Sequence, residues 1–382
     1  MDICYIHSAD FRELKGSSLH VKGLIKFLSR LHAITLIVDT WDNSPLEGVH
    51  IVEMNCPMPL HVVWRVLLSV MYTIRILLVK HIDLLYTKSV LEGAVAITVG
   101  RIFGVPSIYE VNGLIVEEYK MKNEKINTFV SFILEWFCVN YADHLICVTP
   151  WIKENLSKRG ISHEKMTVIE NGTDVTVFSP VKDAKKKLGL AAEKKYVGYT
   201  GTLKVWQGLD HLLDAVPGIL RHMPDTEVLI VGGGELRGWL LHSIREKGLQ
   251  NVVVTGRVKH EEVPLYISAC DVCLLLKKPL SSGYSPLKLY EYSACERPVV
   301  ASRVKGFEWL EKERAGILVD QENPQDVAEA VVALLKDEVL REDMGKRGRE
   351  YVSKYHTWEK IAQEISKTCQ QIVDDQRQAS QE

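Results

Sequence analysis

Short apolar runs alternate with amphipathic helical stretches along the 382-residue chain, and this alternation limits the fold more than any other feature. In the first half the runs ICYIHS, ITLIVDT, LLYTKS, SIYEVNG and HLICVT read as strands. Helical spacing occupies residues 18–31, 60–79, 91–103, 127–141 and 150–159 between them. The second half repeats the plan with YVGYTG, EVLIVGG, VVVTGR, VCLLLK and PVVASR. Its helical stretches are 209–221, 235–247, 261–269, 287–294 and 324–335. Strands that alternate with helices of this length build parallel sheets wound on both faces. Two such series predict an α/β chain of two Rossmann-like, doubly wound parallel-sheet domains, a number that suits this length.

The junction is expected between residues 171 and 188. Asn171-Gly172 signals a turn, and Pro180 and Lys185–Lys187 follow it. The expected domains are 1–175 and 181–356. The helical tail 357–376 should pack back on the first domain, with 377–382 disordered.

The formal net charge is −2 and no dense basic face stands out, which argues against nucleic acid as a partner. Eight cysteines sit mostly in apolar stretches. Cys270 and Cys273 have CxxC spacing without a second pair at zinc-site distance, so buried, reduced thiols in a cytoplasmic protein are expected. The longest apolar run, 61–79, is interrupted by Arg65 and Arg75 and reads as too short to span a bilayer. Those arginines on a hydrophobic helix, with the apolar stretch 126–137, also suit an interfacial contact.

The most informative stretch is SSGYSPLKLYEYSACERPVVAS, residues 281–302. A Gly/Ser/Pro loop runs through Ser285 and Pro286 into a helix near Leu287. Free amides at a helix start are suited to a pyrophosphate. Glu291, one turn in, can accept hydrogen bonds from two vicinal hydroxyls, as on a ribose. In YTGTLKVWQGLDHLLDA, Lys204 is the one cation of a glycine-bearing loop, with Thr202 and Gln207 beside it. VLIVGGGELRGWL contains G-x-G-x-x-R, a weak dinucleotide signal with no well-placed acidic ribose partner. VVVTGRV ends a strand at Arg257 and Val258.

These residues resemble the retaining glycosyltransferases of the GT-B fold, family 4 (group 1). SPLKLYEYSA is similar to the SPLKLFEYMA donor motif of one sub-group. The resemblance covers nearly the whole chain. It implies that Glu291 holds the ribose and that Ser285, Pro286 and Leu287 meet the diphosphate. It implies that Arg257 and Val258 lie along the base. The first glutamate of the family's pair falls on Gly283. The family's Arg and Lys at the leaving group fall on Thr202 and Gln207, so Lys204, aided by Thr202 and with Lys288 in reserve, is expected to stabilise the departing diphosphate. In the first domain, ELKGSSLHVKGLIKFLSRL resembles a Gly-Gly-x-x-x-His loop, which places Gly16 near a phosphate and His20 at the family's histidine. In IYEVNGL, Asn112, with Glu110 two residues earlier, stands where many relatives carry another histidine.

The resemblance implies transfer of a hexosyl group from a nucleotide sugar, UDP favoured over GDP, to an acceptor hydroxyl with retention of configuration. The nucleotide sugar is substrate, with no cofactor and no metal. The acceptor is a saccharide or lipid-linked sugar, as in polysaccharide or glycolipid biosynthesis. A cytoplasmic enzyme, peripheral at the inner face of the membrane, is expected. A non-catalytic nucleotide-sugar-binding protein and a GT-B epimerase are the alternatives, with an NAD-dependent enzyme ranked below them.

Overall fold

The computed structural model describes residues 1–12, 16–42, 44–57, 61–114 and 125–379. The chain divides into two compact units, Met1–Asn171 with Trp358–Glu382, and Gly172–Thr357. The boundary falls slightly before that expected, because the segment after Asn171 belongs to the second unit. There Thr173 bridges Thr357 and Phe178 enters the hydrophobic core. The segment after the Asn171-Gly172 turn is thus a packing element of the second unit.

In the first unit the strands are β1 (Asp2–Ile6), β2 (Ala33–Val38), β3 (Val49–Glu53), β4 (Leu84–Thr87), β5 (Ser107–Val111), β6 (His144–Cys147) and β7 (Met166–Val168). They pair in parallel in the order β3-β2-β1-β4-β5-β6-β7. Central strands such as β4 and β5 are buried at every position. Sheets covered on both faces need such continuous apolar runs. The sequence reading omits β3 and β7; β3 is only partly buried at an edge, so its apolar pattern is weak.

The chain leaves β1 through the helix Gly16–Leu28 to reach β2. It leaves β3 through His61–Val79 to reach β4, on the opposite side of β1. The order therefore reverses between β1 and β4. Val90–Phe103 follows β4 and Lys125–Tyr141 follows β5, and both pack as neighbours in one layer with His61–Val79. Right-handed crossovers moving in one direction must all lie on one face of a parallel sheet.

The helix Trp358–Ala379 returns to the first unit and packs on Gly16–Leu28. The buried Trp358 lies edge-on to His20 at 5.0 Å and fills the space against Gly23. The helix continues to Ala379, and Arg377 reaches Asp83 at 2.7 Å. The tail expected to be disordered from 377 is corrected to that extent; residues 380–382 lie outside the described residues.

A further correction concerns His61–Val79. Its stretch Val62–Val79 is long and apolar enough to cross a membrane by length and composition, and only 17% of it is buried. Arg65 does not interrupt it as a free charge, since its guanidinium holds Glu92 at 2.6 Å.

In the second unit the strands are β8 (Lys195–Thr200), β9 (Thr226–Val231), β10 (Val252–Gly256), β11 (Val272–Leu275), β12 (Val299–Ser302) and β13 (Gly316–Val319). They pair in parallel as β10-β9-β8-β11-β12-β13, with the order reversing between β8 and β11. The short β13 and the helix Glu338–Tyr355 are absent from the sequence reading. Only Arg341, Gly345, Gly348 and Val352 of that helix are buried, too few for a strong apolar stripe. All eight cysteines are free thiols.

Candidate functional site

The carboxyl ends of β8 and β11 flank the switch point of the second unit, where ligands bind in open α/β sheets. The helix Leu287–Ala294 starts near this edge and is tied to it by Tyr292. The Tyr292 Oη accepts from the Thr200 amide at 2.7 Å and donates to the Thr200 carbonyl at 3.1 Å. Ser285 is buried with its Oγ 3.0 Å from Tyr290 Oη, and Tyr290 stacks on His356. Pro286 precedes the first helical residue, Leu287, in extended backbone. Gly283 has φ +65°, where other L residues cost about 1–2 kcal/mol. This conformation accounts for glycine at the position where the family carries glutamate.

Lys288 is the residue whose importance the fold raises. Its half-buried ammonium donates to Tyr199 Oη and to Gln207 Oε1, both at 2.9 Å, and lies over the Tyr199 ring. Gln207 therefore holds a lysine supplied by another element where relatives would carry the lysine themselves. Desolvation, and then Lys277 nearby, push Lys288 well below the ordinary lysine range, against the pull of Glu291. Glu291, one turn further on, is half-buried and has no hydrogen-bond or ion-pair partner among the described residues. Burial raises its carboxyl to about 7 despite Lys288.

The glycine loops are packed for close approach. A Cβ on Gly201, at φ +135°, would meet Lys288 Nζ at 2.6 Å. A Cβ on Gly234 would meet the Leu203 carbonyl oxygen at 2.5 Å. The Gly232–Gly234 segment thus packs against the 201–203 loop, which gives its glycines a structural reason. The exposed Arg257 lies beyond β10 with its aliphatic stem over Gly233, and Val258 packs on the core beside it. The carbonyl of Thr202 accepts from Tyr199 Oη at 2.9 Å. Lys204 sits with its ammonium over the Trp206 ring at 4.6 Å. These residues share one edge of the second unit.

Gly16 and Asn112 belong to the first unit. Gly16 is the exposed first residue of its helix, not a loop residue, with open space around its Cα. Asn112 follows β5 and donates to Glu110 Oε1 at 2.7 Å. Glu110 is fully buried and also accepts from Tyr86 Oη at 2.6 Å. His20 Nε2 lies 2.8 Å from Asn171 Oδ1 and 3.2 Å from Glu110 Oε1. Burial, then the field of Lys88, lower His20 to about 4, so it is neutral near pH 7. Burial alone would raise Glu110, but His20, Lys88 and the bonds from Tyr86 and Asn112 hold it below the ordinary carboxylate range. Glu110, a bare acidic residue in the sequence, is the hub of this network. Its one sequence signal is a charged residue inside an otherwise apolar strand.

A cavity of about 720 Å³ opens in the first unit between Leu77–Asp83, Phe103–Pro106 and Val373–Arg377. It lies beside the residues that precede β4 and β5, the edge opposite Asn112 and Glu110. Among the described residues, no three His, Cys, Asp or Glu side chains gather in a metal-holding group.

Two family models match in succession, Glycosyltransferase Family 4 over residues 14–177 and Glycosyl transferases group 1 over residues 194–337. Together they span most of the chain. An uncharacterized glycosyltransferase of Methanocaldococcus jannaschii is 24% identical over 366 residues, 94% of this chain and 95% of that protein. Sucrose-phosphate synthase from Thermosynechococcus elongatus superposes with a TM-score of 0.85 at 24% identity, over 98% of this chain and 100% of its own. Anabaena HepE in complex with UDP-glucose superposes with a TM-score of 0.76 at 20% identity, over 97% and 100%. These likenesses, with the two parallel-sheet units, establish the GT-B fold.

Tyr292→Phe would strand the buried Thr200 amide and loosen the start of the motif helix. The expected loss is about 1–3 kcal/mol of stability, the usual cost of a buried unsatisfied donor. Urea unfolding should show a lower midpoint at unchanged slope. A midpoint equal to wild type would mean that this tether is not stabilising.

Proposed function

We propose, on the premise that this chain belongs to the group 1 glycosyltransferases, that it transfers a hexosyl group from a UDP-sugar to an acceptor hydroxyl with retained configuration. The observation that carries the reading is Glu291, a half-buried carboxyl with no hydrogen-bond or ion-pair partner among the described residues, one turn from a lysine with depressed basicity. Ribose hydroxyls would donate to the Glu291 carboxylate, and diphosphate oxygens would accept from Lys288 and the amides at the start of Leu287–Ala294. The UDP-glucose complex of HepE, which has the same fold, supports UDP as the carrier.

Catalysis in this reading is electrostatic. As the sugar–phosphate bond breaks, negative charge grows on the diphosphate, and Lys288, backed by Lys204 and Thr202, stabilises it. The leaving phosphate oxygen takes the proton of the acceptor hydroxyl that attacks from the same face. Asn112, held by Glu110, offers a hydrogen bond to a sugar hydroxyl but no proton. Arg257 and Val258 lie along the base, and Gly16 admits a phosphate.

The acceptor is a saccharide or a lipid-linked sugar, used at the inner face of the membrane. The support is the exposed apolar surface of His61–Val79 and Lys125–Tyr141. Trp64, Leu67 and Met71 project from the first helix and Phe129, Phe132 and Trp136 from the second. The acidic groups of this layer are paired, Glu92 with Arg65 and Glu135 with Arg159, whereas Arg75 and Lys80 are exposed. An apolar face rimmed by cations suits an anionic lipid surface.

Glu291→Ala should weaken UDP binding by about 1.5–3 kcal/mol, the range for hydrogen bonds to a charged group, as read by calorimetric titration. Unchanged affinity would remove Glu291 from the ribose. Lysine charge in place of a metal predicts that transfer persists in EDTA; complete loss of turnover restored by Mn²⁺ would refute it. The full chain should co-sediment with vesicles containing phosphatidylglycerol, and Trp64→Glu with Phe132→Glu should abolish this. Absence of wild-type binding would remove the membrane contact. UDP-sugar binding without transfer across an acceptor panel would instead support the non-catalytic reading.

A further inference from the structure

The first unit has its own switch point, between β1 and β4, and it holds groups that the reading above leaves unused. The register that pairs Ile6 with Thr87 sets His7 level with Lys88 just beyond the two strand ends. Lys88 is half-buried and makes no hydrogen bond or ion pair among the described residues. Glu110 acts on it only through its field, its oxygens already taken by Tyr86, Asn112 and His20. His7 is 5% exposed; its Nδ1 lies 3.1 Å from Ser89 Oγ, and its Nε2 has no partner. Thr87, fully buried, has an unpartnered hydroxyl, and Arg65 keeps a buried Nε without an acceptor. Burial first, and then Lys88, His20 and Arg65, push His7 well below its ordinary range. Desolvation holds Lys88 down to about 8.

We infer that Lys88, with His7 and Thr87 beside it, binds an anionic group, a phosphate or carboxylate, on the acceptor. At this strand edge Lys88, His7 Nε2 and the Thr87 hydroxyl have no partner among the described residues, and such groups are costly unless a ligand or water meets them. A lysine kept out of bulk water, with Glu110 acting on it through its field and no direct partner among the described residues, is stabilised when an anion supplies one. The position is the one at which open α/β sheets take ligands. Lys88 therefore selects an acceptor bearing a negative charge, and His7 and Thr87 orient that group by hydrogen bonds. The inference deepens the proposed transfer reaction by naming the acceptor class, and it rests on that reading.

The test uses the full chain, with glucose 6-phosphate and glucose as soluble probes and vesicles with or without phosphatidic acid as lipid probes. UDP titration of every variant reports the donor site separately. Wild type should bind glucose 6-phosphate at least ten-fold more tightly than glucose. Lys88→Gln should erase that preference while UDP affinity stays within two-fold, and Lys88→Arg should keep it. If the anion is carried by lipid, Lys88→Gln instead loses the preference for phosphatidic acid vesicles. Wild type without preference for either anion, or Lys88→Gln that retains both preferences, overturns the inference. Failure of UDP binding in wild type would count against the donor reading alone.

Discussion

Parallel strand pairing is the constraint from which the rest of this structure follows. Every crossover must run back along a sheet face, so every strand ends at the same edge. Each unit then has one place where the order reverses, β1 against β4 and β8 against β11. At that place no crossover covers the strand ends, and the backbone turns outward into loops. Chemistry-bearing side chains in both units collect there, Lys88, His7, Glu110 and Asn112 in one, Lys288, Gln207 and Thr202 in the other.

The two edges solve the problem of charge near a low-dielectric interior differently. In the first unit Glu110 is fully buried, and hydrogen bonds from Tyr86 and Asn112 with the fields of His20 and Lys88 hold it below the ordinary carboxylate range. In the second unit Glu291 and Lys288 are each pulled toward neutrality by desolvation. A group held against its preferred protonation state by burial gains most when a ligand supplies the missing partner. The first arrangement closes its carboxylate with hydrogen bonds; the second leaves the Glu291 carboxyl without one among the described residues.

Departures from the family pattern also acquire physical reasons. Gly283 adopts a backbone conformation that glutamate would occupy only with strain. Gln207 replaces a lysine, but its carbonyl oxygen holds the ammonium of Lys288. Asn112, which stands where many relatives carry a histidine, donates instead to the buried Glu110.

The two α/β series, most strand positions and the loop-to-helix step at Ser285–Leu287 were legible in the residues themselves. Apolar periodicity and helix-start chemistry are local properties. The edge strand β3, the short β13 and the amphipathic helix Glu338–Tyr355 were not, because their apolar stripes are thin. The sequence by itself determined the fold class and the likeness of residues 281–302 to a donor site. Only the tertiary structure decided that Lys288 meets Gln207, 81 residues away, and that His20 meets Asn171, 151 residues away. It also decided that the apolar helix His61–Val79 lies on a sheet with most of its surface exposed. Such pairings depend on which strands become neighbours, and strand order is a property of the whole sheet, not of any segment of it.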